Sequence, residues 1–442
     1  MSEPATSASV HSLRLSEEQS TRVRWHILAL LMALCFLSHF NRVSMSVAGN
    51  DRIMEQYSIS PTKMGAVYSA FLLVYSIGMI PGGFYIDRCG ARVALITMGF
   101  GTALFGALTG GIGFICHAAS QALAGLIVVR SLMGLSATPL HPGSARAVGN
   151  WFPFSERGRA NGLVTGAAII GVAASYKGFG ALIHWFDWPV AFLITGGLMA
   201  ALSLLFALYA TEQPAQHRWI NRREQRLIAG NQPGAENASA APAAGWWSLL
   251  TNRSLLLLTL SYAAVGYFQY LFVYWMQYYF DKELHLGEKA SHFYAGIPQL
   301  AMALTMPCGG WLADRLQRSF GPRLARGLVS ASGMVAGAAL LGLGILAREP
   351  LWIVTWFTLA LGSLGVSEAP FWATAVELGG RRGGTAAAIC NTGGNLGGML
   401  APVLTPLISG AFGWAWGISL GGAICLLGAV CWRWIDPATR QE

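Results

Sequence analysis

Charge is scarce in this chain. Only 11% of its 442 residues are Asp, Glu, Lys or Arg, whereas a soluble globular domain carries roughly a quarter. Too few ionised side chains exist to cover a water-soluble fold. The net charge of +9 comes from arginines scattered singly between apolar runs, and these do not build the basic face with interleaved aromatics that nucleic acid requires. No nucleic-acid partner is expected. The seven cysteines (35, 89, 116, 308, 390, 425 and 431) lie mainly in or beside apolar runs and include no Cys-x-x-Cys pair, so neither a disulfide framework nor a zinc site is indicated. The motifs Gly-x4-Gly-Lys-[Ser/Thr], His-Glu-x-x-His and Gly-x-Ser-x-Gly are missing as well. An ATP-driven pump, a zinc hydrolase and a serine hydrolase of that type fall away, and neither enzymatic activity nor a cofactor is expected.

What the chain does contain is apolar and rich in glycine: 54% hydrophobic residues and 54 glycines. A helix needs roughly 20 apolar residues to cross a bilayer. Twelve runs meet that length: 25–47, 64–86, 93–114, 119–140, 160–183, 189–211, 250–280, 291–312, 328–347, 351–376, 385–408 and 414–435. They are numbered spans 1 to 12 below. From Gly383 to Trp432 no charged residue occurs, as two spans joined by a short turn near Gly410 and Gly413 require. The chain is therefore read as an all-α, multi-pass integral membrane protein surrounded by membrane lipids.

Arginine placement orients the spans, because cytoplasmic loops are enriched in Lys and Arg. Alternate connections hold Arg88 and Arg92; Arg157 and Arg159; Arg218, Arg222, Arg223 and Arg226; Arg315, Arg318, Arg323 and Arg326; Arg381 and Arg382. The opposite loops are sparse or mixed, as in Asp281-Lys282-Glu283. Both termini are thus expected in the cytoplasm, flanked by Arg22, Arg24 and Arg433. Residues 1–24 read as an N-terminal tail, 25–211 as a first six-helix bundle, 212–247 as a polar linker, 248–435 as a second six-helix bundle and 436–442 as a tail. The first run is too long for a signal-peptide core and follows about two dozen polar residues, so no cleavage is expected. The sequon Asn237-Ala-Ser239 lies in the linker, on the side where glycosylation does not occur.

Two turns match each other 227 residues apart: Gly83-Phe-Tyr-Ile-Asp87-Arg88-Cys-Gly90-Ala-Arg92 and Gly310-Trp-Leu-Ala-Asp314-Arg315. Each joins two uncharged runs, so its glycine is expected to let two helices approach closely while Asp and Arg bridge their polar ends. One half repeats the other, as in alternating-access transporters. Further motifs are Asn41-Arg42-Val-Ser-Met-Ser-Val-Ala48 in span 1 and Ser69-Ala-Phe-x3-Tyr75-x2-Gly78-x2-Pro81-Gly-Gly83 in span 2. Trp151-Phe-Pro-x2-Glu156-Arg-Gly-Arg159-Ala-x-Gly162 follows span 4, and Asn391-x2-Gly-Asn395-x2-Gly398-x3-Pro402 lies in span 11. Together these motifs resemble the major facilitator superfamily over essentially the whole chain. Within it they are similar to the anion:cation symporter family, which includes sugar-acid transporters and sialin. The resemblance implies 12 transmembrane helices in two pseudo-symmetric six-helix bundles. It also implies a small organic anion as substrate, a bacterial inner membrane as location, and a monomer as sufficient unit.

A buried guanidinium is costly and is retained for a partner or a function. Arg42 and Arg130 lie in or near uncharged spans with no acid in the same stretch, so an anionic ligand would supply the missing charge. A planar guanidinium fork suits a carboxylate. The resemblance implies the same, since arginines at these two places bind the substrate carboxylate in sugar-acid transporters. The rest of the cavity is expected to draw on Tyr75, Gln269, Tyr270, Tyr274, Trp372 and Asn391, while Gly162, Gly166, Gly171, Gly394 and Gly398 serve close helix contact.

Coupling departs from the family. Where its proton-coupled members have an Asp before the span 1 arginine and a Glu seven residues after the span 4 arginine, this chain has Asn41 and Ala137. However, Gly134-Leu-Ser136-Ala137-Thr-Pro139 in span 4 aligns with Gly365-Val-Ser367-Glu368-Ala-Pro370 in span 10. Glu368 occupies the pseudo-symmetric place of the lost acid and reads as the only acid deep in a span. It is the candidate proton site, with His39 and His141 as secondary candidates; the coupling ion is expected to be a proton, with sodium as the other candidate. An inner lock is expected from Gly83, Asp87, Arg88, Arg92, Glu156, Arg157 and Arg159 against Gly310, Asp314 and Arg315. A multidrug exporter is disfavoured because Gly166-Ala-Ala-Ile-Ile-Gly171 lacks the family's proline. An uncoupled uniporter or exchanger, or a transporter-like sensor, stays open.

Overall fold

The computed structural model describes residues 20–229, 246–379 and 382–436; Arg381, the sequon at Asn237 and most of both tails lie outside them. The described chain is helical and contains no strand. Ten of its helices are long and apolar enough to cross a membrane. Two of these, Phe154–Tyr209 and Glu288–Leu346, run for 56 and 59 residues, more than twice what a bilayer accommodates. Each folds back at a single residue, Asp187 (φ 64°, ψ 162°) and Gly321 (φ 76°, ψ 164°). Counting both limbs gives twelve spans in the order read from the sequence.

The same backbone twist recurs at two further junctions. Gly90 separates spans 2 and 3 (φ 85°, ψ 162°), and Gly413 separates spans 11 and 12 (φ 93°, ψ 160°). Junctions 2–3, 5–6, 8–9 and 11–12 therefore share one conformation, in a region that is essentially reserved to glycine. This divides the fold into four three-helix units, two per bundle. Asp187 is the non-glycine member, and its Oδ1 accepts the Trp188 N–H at 2.7 Å.

Close helix approach beside the repeated turns falls one residue earlier than the motifs suggest. A Cβ at Gly83 would meet nothing within 4 Å, and one at Gly310 only the Ala369 Cβ at 3.2 Å. A Cβ at Gly82 would instead stand 2.7 Å from Thr138 Oγ1, and one at Gly309 would stand 1.9 Å from the Val366 carbonyl oxygen. One step along a helix turns the contact face by roughly 100°, so the turn glycines sit off the packed stripe. Of the other glycines read as helix contacts, Gly171, Gly394 and Gly398 abut a neighbouring helix, whereas Gly162 and Gly166 face open space.

The first part of the linker is folded onto the first bundle. Glu212 accepts the N–H groups of Ala91 and Arg92 at 3.1 and 2.7 Å, which caps span 3. Glu224, on the short helix Arg222–Ala229, is fully buried and accepts from Val23 N, Arg24 N and Thr21 Oγ1 at the start of span 1. Carboxylates placed there satisfy orphan N–H groups and meet the positive end of the helix dipole.

The two bundles are fastened on the face away from the termini. Ser69 Oγ donates to the Met399 carbonyl at 2.6 Å, Tyr176 OH to Val273 O at 2.8 Å, and Ser46 Oγ to Val273 O at 3.2 Å. Glycines make the seam tight: a Cβ at Gly65 would lie 1.9 Å from Pro402 O, and one at Gly180 would lie 2.4 Å from the His292 ring. On the terminus-bearing face, the ion pairs Arg24–Glu156, Asp87–Arg146, Arg323–Asp436 and Arg326–Glu377 each join residues of one bundle.

Candidate functional site

Span 1 carries Arg42 into an aromatic cage at the middle of the seam. Its guanidinium lies 4.8 Å from the Phe71 ring centre, 5.4 Å from Tyr75 and 5.2 Å from Tyr270, and it donates to the Tyr270 hydroxyl of the other bundle. Arg130, from span 4, is 1% exposed and sits 5.1 Å from the same Phe71 ring. It donates to the Arg42 carbonyl at 2.8 Å and to the Met133 sulfur at 3.1 Å, while its Nε is buried without a partner. Among the described residues, no carboxylate stands within 4.0 Å of either guanidinium. Ring faces offset about 0.5–2 kcal/mol per cation, but they do not neutralise it. Two positive charges therefore share one ring with no counter-ion.

The structure brings Arg42, Arg130, Tyr75, Tyr270 and Tyr274 together. Tyr274 is stacked between Tyr68 and Tyr270, at 4.8 and 5.8 Å between centres. Gln269 is half-buried and makes no hydrogen bond to this group. Asn391, on span 11, turns its amide to the Met79 sulfur across the seam at 3.8 Å. Asn41, beside Arg42, is 1% exposed, and both its amide atoms are buried without partners.

Glu368 is buried in the second bundle. Its Oε2 accepts from Tyr262 OH at 3.0 Å and from Trp372 Nε1 at 3.3 Å. It makes no ion pair with Arg42 or Arg130 in this conformation. Tyr262 is a partner that sequence reading missed, since it lies 106 residues away. His39 and His141 meet edge to face at 5.2 Å. The His39 Nδ1 bonds the Cys35 carbonyl at 3.0 Å, so that nitrogen carries the hydrogen.

The residues read as an inner lock are not gathered into one cluster here. Asp87 pairs with Arg146 at 2.8 Å, a partner absent from the sequence reading. Arg92 donates to Ala210 O and Ala207 O, Arg157 to Phe152 O and Gly149 O, and Glu156 pairs with Arg24. Arg88, Arg159, Asp314 and Arg315 are exposed.

The opposite face holds a cluster that sequence reading did not find: Asn50, Asp51 and Arg52 from the end of span 1 against Gln277, Glu288 and His292 of the second bundle. Asp51 Oδ2 lies 2.7 Å from His292 Nε2, and the Asp51 side chain is 0% exposed. Glu368 is thus not the only buried acid among the spans. The available signal was the run Asn50-Asp51-Arg52, polar residues just past an apolar stretch taken to end at 47. The helix continues through this run as a π-turn, Gly49–Ile53, which keeps Asp51 turned into the protein.

The Major Facilitator Superfamily model matches residues 30–386. Among curated relatives, the probable galactarate/D-glucarate transporter GudP of Bacillus subtilis (strain 168) is 28% identical over 397 residues, covering 86% of this chain and 84% of that protein. The probable L-galactonate transporter of Escherichia coli (strain K12) is 30% identical over 321 residues, covering 72% and 68%. The probable sulfoacetate transporter SauU of Cupriavidus necator is 26% identical over 377 residues, covering 85% of each. Among solved structures, a bacterial homolog of the human lysosomal transporter Spinster superposes with a TM-score of 0.76 at 15% identity, over 96% of this chain and 100% of that one. That likeness concerns the fold alone.

Proposed function

Because the chain belongs to the Major Facilitator Superfamily of multi-pass membrane transporters, we propose that it carries a small organic anion, a carboxylate such as a sugar acid, by alternating access. The observation that carries this reading is the pair of guanidiniums, Arg42 and Arg130, held on one Phe71 ring with no carboxylate partner. An anionic ligand would supply the missing counter-charge between them, and a bidentate carboxylate fits a planar guanidinium fork. The activities that the relatives' names carry, on galactarate, galactonate and sulfoacetate, are in keeping with it. Residues 25–211 and 248–435 would rock against each other around this site. The positive-inside rule supports reading the terminus-bearing face as cytoplasmic, in a bacterial inner membrane, with the fastened face then extracytoplasmic. A single chain suffices for this cycle.

Proton symport through Glu368 is the coupling we favour, because that acid is buried in the second bundle, where its Oε2 accepts from a hydroxyl and an indole, and among the described residues no ion pair holds it. Uncoupled exchange or uniport is the second reading, favoured by Asn41 and Ala137, neither of which takes a proton.

Thermal-shift and equilibrium-binding measurements with hexonates, hexuronates and dicarboxylates test the anion reading. Arg42→Ala and Arg130→Ala are each expected to abolish binding, and Arg→Lys at either place to weaken it strongly, with folding intact. Binding retained in both Ala variants would sink the organic-anion assignment.

A further inference from the structure

The seam on the extracytoplasmic face holds ionisable groups that the anion site does not use. Asp51 ends span 1 with a fully buried side chain, and both of its side-chain partners come from the other bundle. Gln277 Nε2 donates to Oδ1 at 2.5 Å, and His292 Nε2 meets Oδ2 at 2.7 Å. Beside them, Arg52 pairs with Glu288 at 3.2 Å, again from one bundle to the other. Asn50 Nδ2 donates to Tyr274 O and to Gln277 Oε1, and Tyr68 OH donates to Asn50 Oδ1. Other charges nearby include Glu55 on the first bundle and the Asp281–Lys282 pair on the second. Span 5 meets the imidazole with Gly180, while its own ionisable residues on either side, Lys177 and His184, are exposed.

This arrangement couples a proton to a movement. Opening the face breaks both Asp51 bonds at once and returns the carboxylate and the imidazole to water. Closing it with a neutral imidazole buries an unpaired carboxylate, whereas closing it with an imidazolium buries a neutral pair; one-sided burial of charge is the costly case. In water the ring gains its second proton near pH 6.5.

We propose that Asp51 and His292 form a proton-sensitive latch on the extracytoplasmic gate, so that external acidity holds this gate shut. The latch rests on the orientation assigned above and goes beyond the anion reading, since it needs no particular substrate and is distinct from Glu368. The proton it takes comes from the outside and returns there when the gate reopens, so the latch sets the gate equilibrium without driving transport. With one proton linked to closure, the closed-to-open ratio rises by at most about tenfold per pH unit.

The test is a pulsed-EPR distance between spin labels introduced through unnatural amino acids at exposed Lys63 and Lys289, one on each bundle, with the native cysteines left in place. As pH falls from about 8 to 6, across the ordinary imidazole range, the short-distance fraction of the otherwise unaltered protein is expected to grow. His292→Gln keeps a donor for Asp51 but removes the charge, and it is expected to flatten the response, as is Asp51→Asn. Should Asp51→Asn not fold, His292→Gln carries the test. A flat profile in the unaltered protein, or a full pH response in His292→Gln, overturns the latch. Glu368→Gln is expected to keep the response; if that variant flattens it instead, the proton belongs to Glu368 and the latch is likewise overturned.

Discussion

Adding one methyl group at Gly65 should force the gate on the fastened face open. Gly65 on span 2 faces span 11, where its added Cβ would lie 1.9 Å from the Pro402 carbonyl oxygen and 2.7 Å from the carbonyl carbon. Ordinary van der Waals contact begins at 3.4 Å, leaving a deficit of about 1.5 Å against main chain that cannot rotate aside. The same carbonyl accepts Trp275 Nε1 at 3.2 Å, which fixes it further. If span 11 retreats by that distance, the Ser69–Met399 hydrogen bond, now 2.6 Å, stretches to roughly 4 Å and is lost. One net hydrogen bond is worth about 1 kcal/mol, and overpacking adds about 1–3 kcal/mol. The closed state is thereby disfavoured by about 2–4 kcal/mol, or roughly 30- to 1,000-fold in population. Alanine raises helix propensity by about 1 kcal/mol whichever way the gate stands, so unfolding is not expected. Gly83→Ala, with nothing within 4 Å, is the matched control. The EPR pair at positions 63 and 289 reads the outcome: Gly65→Ala should move the distribution to longer distances and slow uptake, while Gly83→Ala leaves it in place. A Gly65→Ala protein with an unchanged distribution would refute the glycine-seam argument.

Glu368→Gln, which mimics the protonated acid, is expected to bind and exchange substrate across proteoliposomes yet fail to concentrate it under a proton gradient; accumulation in that variant would move coupling to His39, His141 or another ion. Asp87→Asn is expected to shift the protein toward the state closed on the fastened face, and unchanged labelling of the cavity on that face would remove Asp87 from the lock. The Asp87–Arg146 pair itself is largely exposed and worth about 0–1 kcal/mol, so Arg146→Gln should leave the melting temperature nearly unmoved. Asp187→Gly should be more stable than Asp187→Ala by about 1–3 kcal/mol, since only glycine takes that backbone conformation without strain; equal melting temperatures would contradict the strained junction.

The spans, their order and the superfamily were legible because a bilayer demands long apolar runs, and loops advertise themselves through charge. Arg42, Arg130 and Glu368 stood out for the same reason, as ionisable groups in uncharged helix. What stayed hidden depends on how distant segments register. Asp51 and His292 are 241 residues apart, and nothing in either neighbourhood encodes the other. The Gly82–Thr138 and Gly309–Val366 contacts escaped because a motif marks a region, whereas a single-residue step decides which side of the helix packs. The missing partner for Asp87 was equally unreadable: Arg146 lies beyond span 4, in a stretch with no repeat signature. Asp187 fell in the gap read between spans 5 and 6, but that it is the turning residue, held at a positive φ, shows only in its backbone angles.

The capping of spans 1 and 3 by linker carboxylates has a consequence for biosynthesis. A ribosome makes span 1 some two hundred residues before Glu224, yet the first turn of that span keeps orphan N–H groups until Glu224 reaches back to them. The first bundle is therefore chemically complete only once the chain has been translated past Ala229, not when span 6 leaves the translocation machinery. Two separately expressed fragments divided between residues 229 and 246 should assemble in the membrane, because each carries its own end groups. A division at 211 would leave two helix starts in the first fragment waiting for carboxylates that arrive with the second.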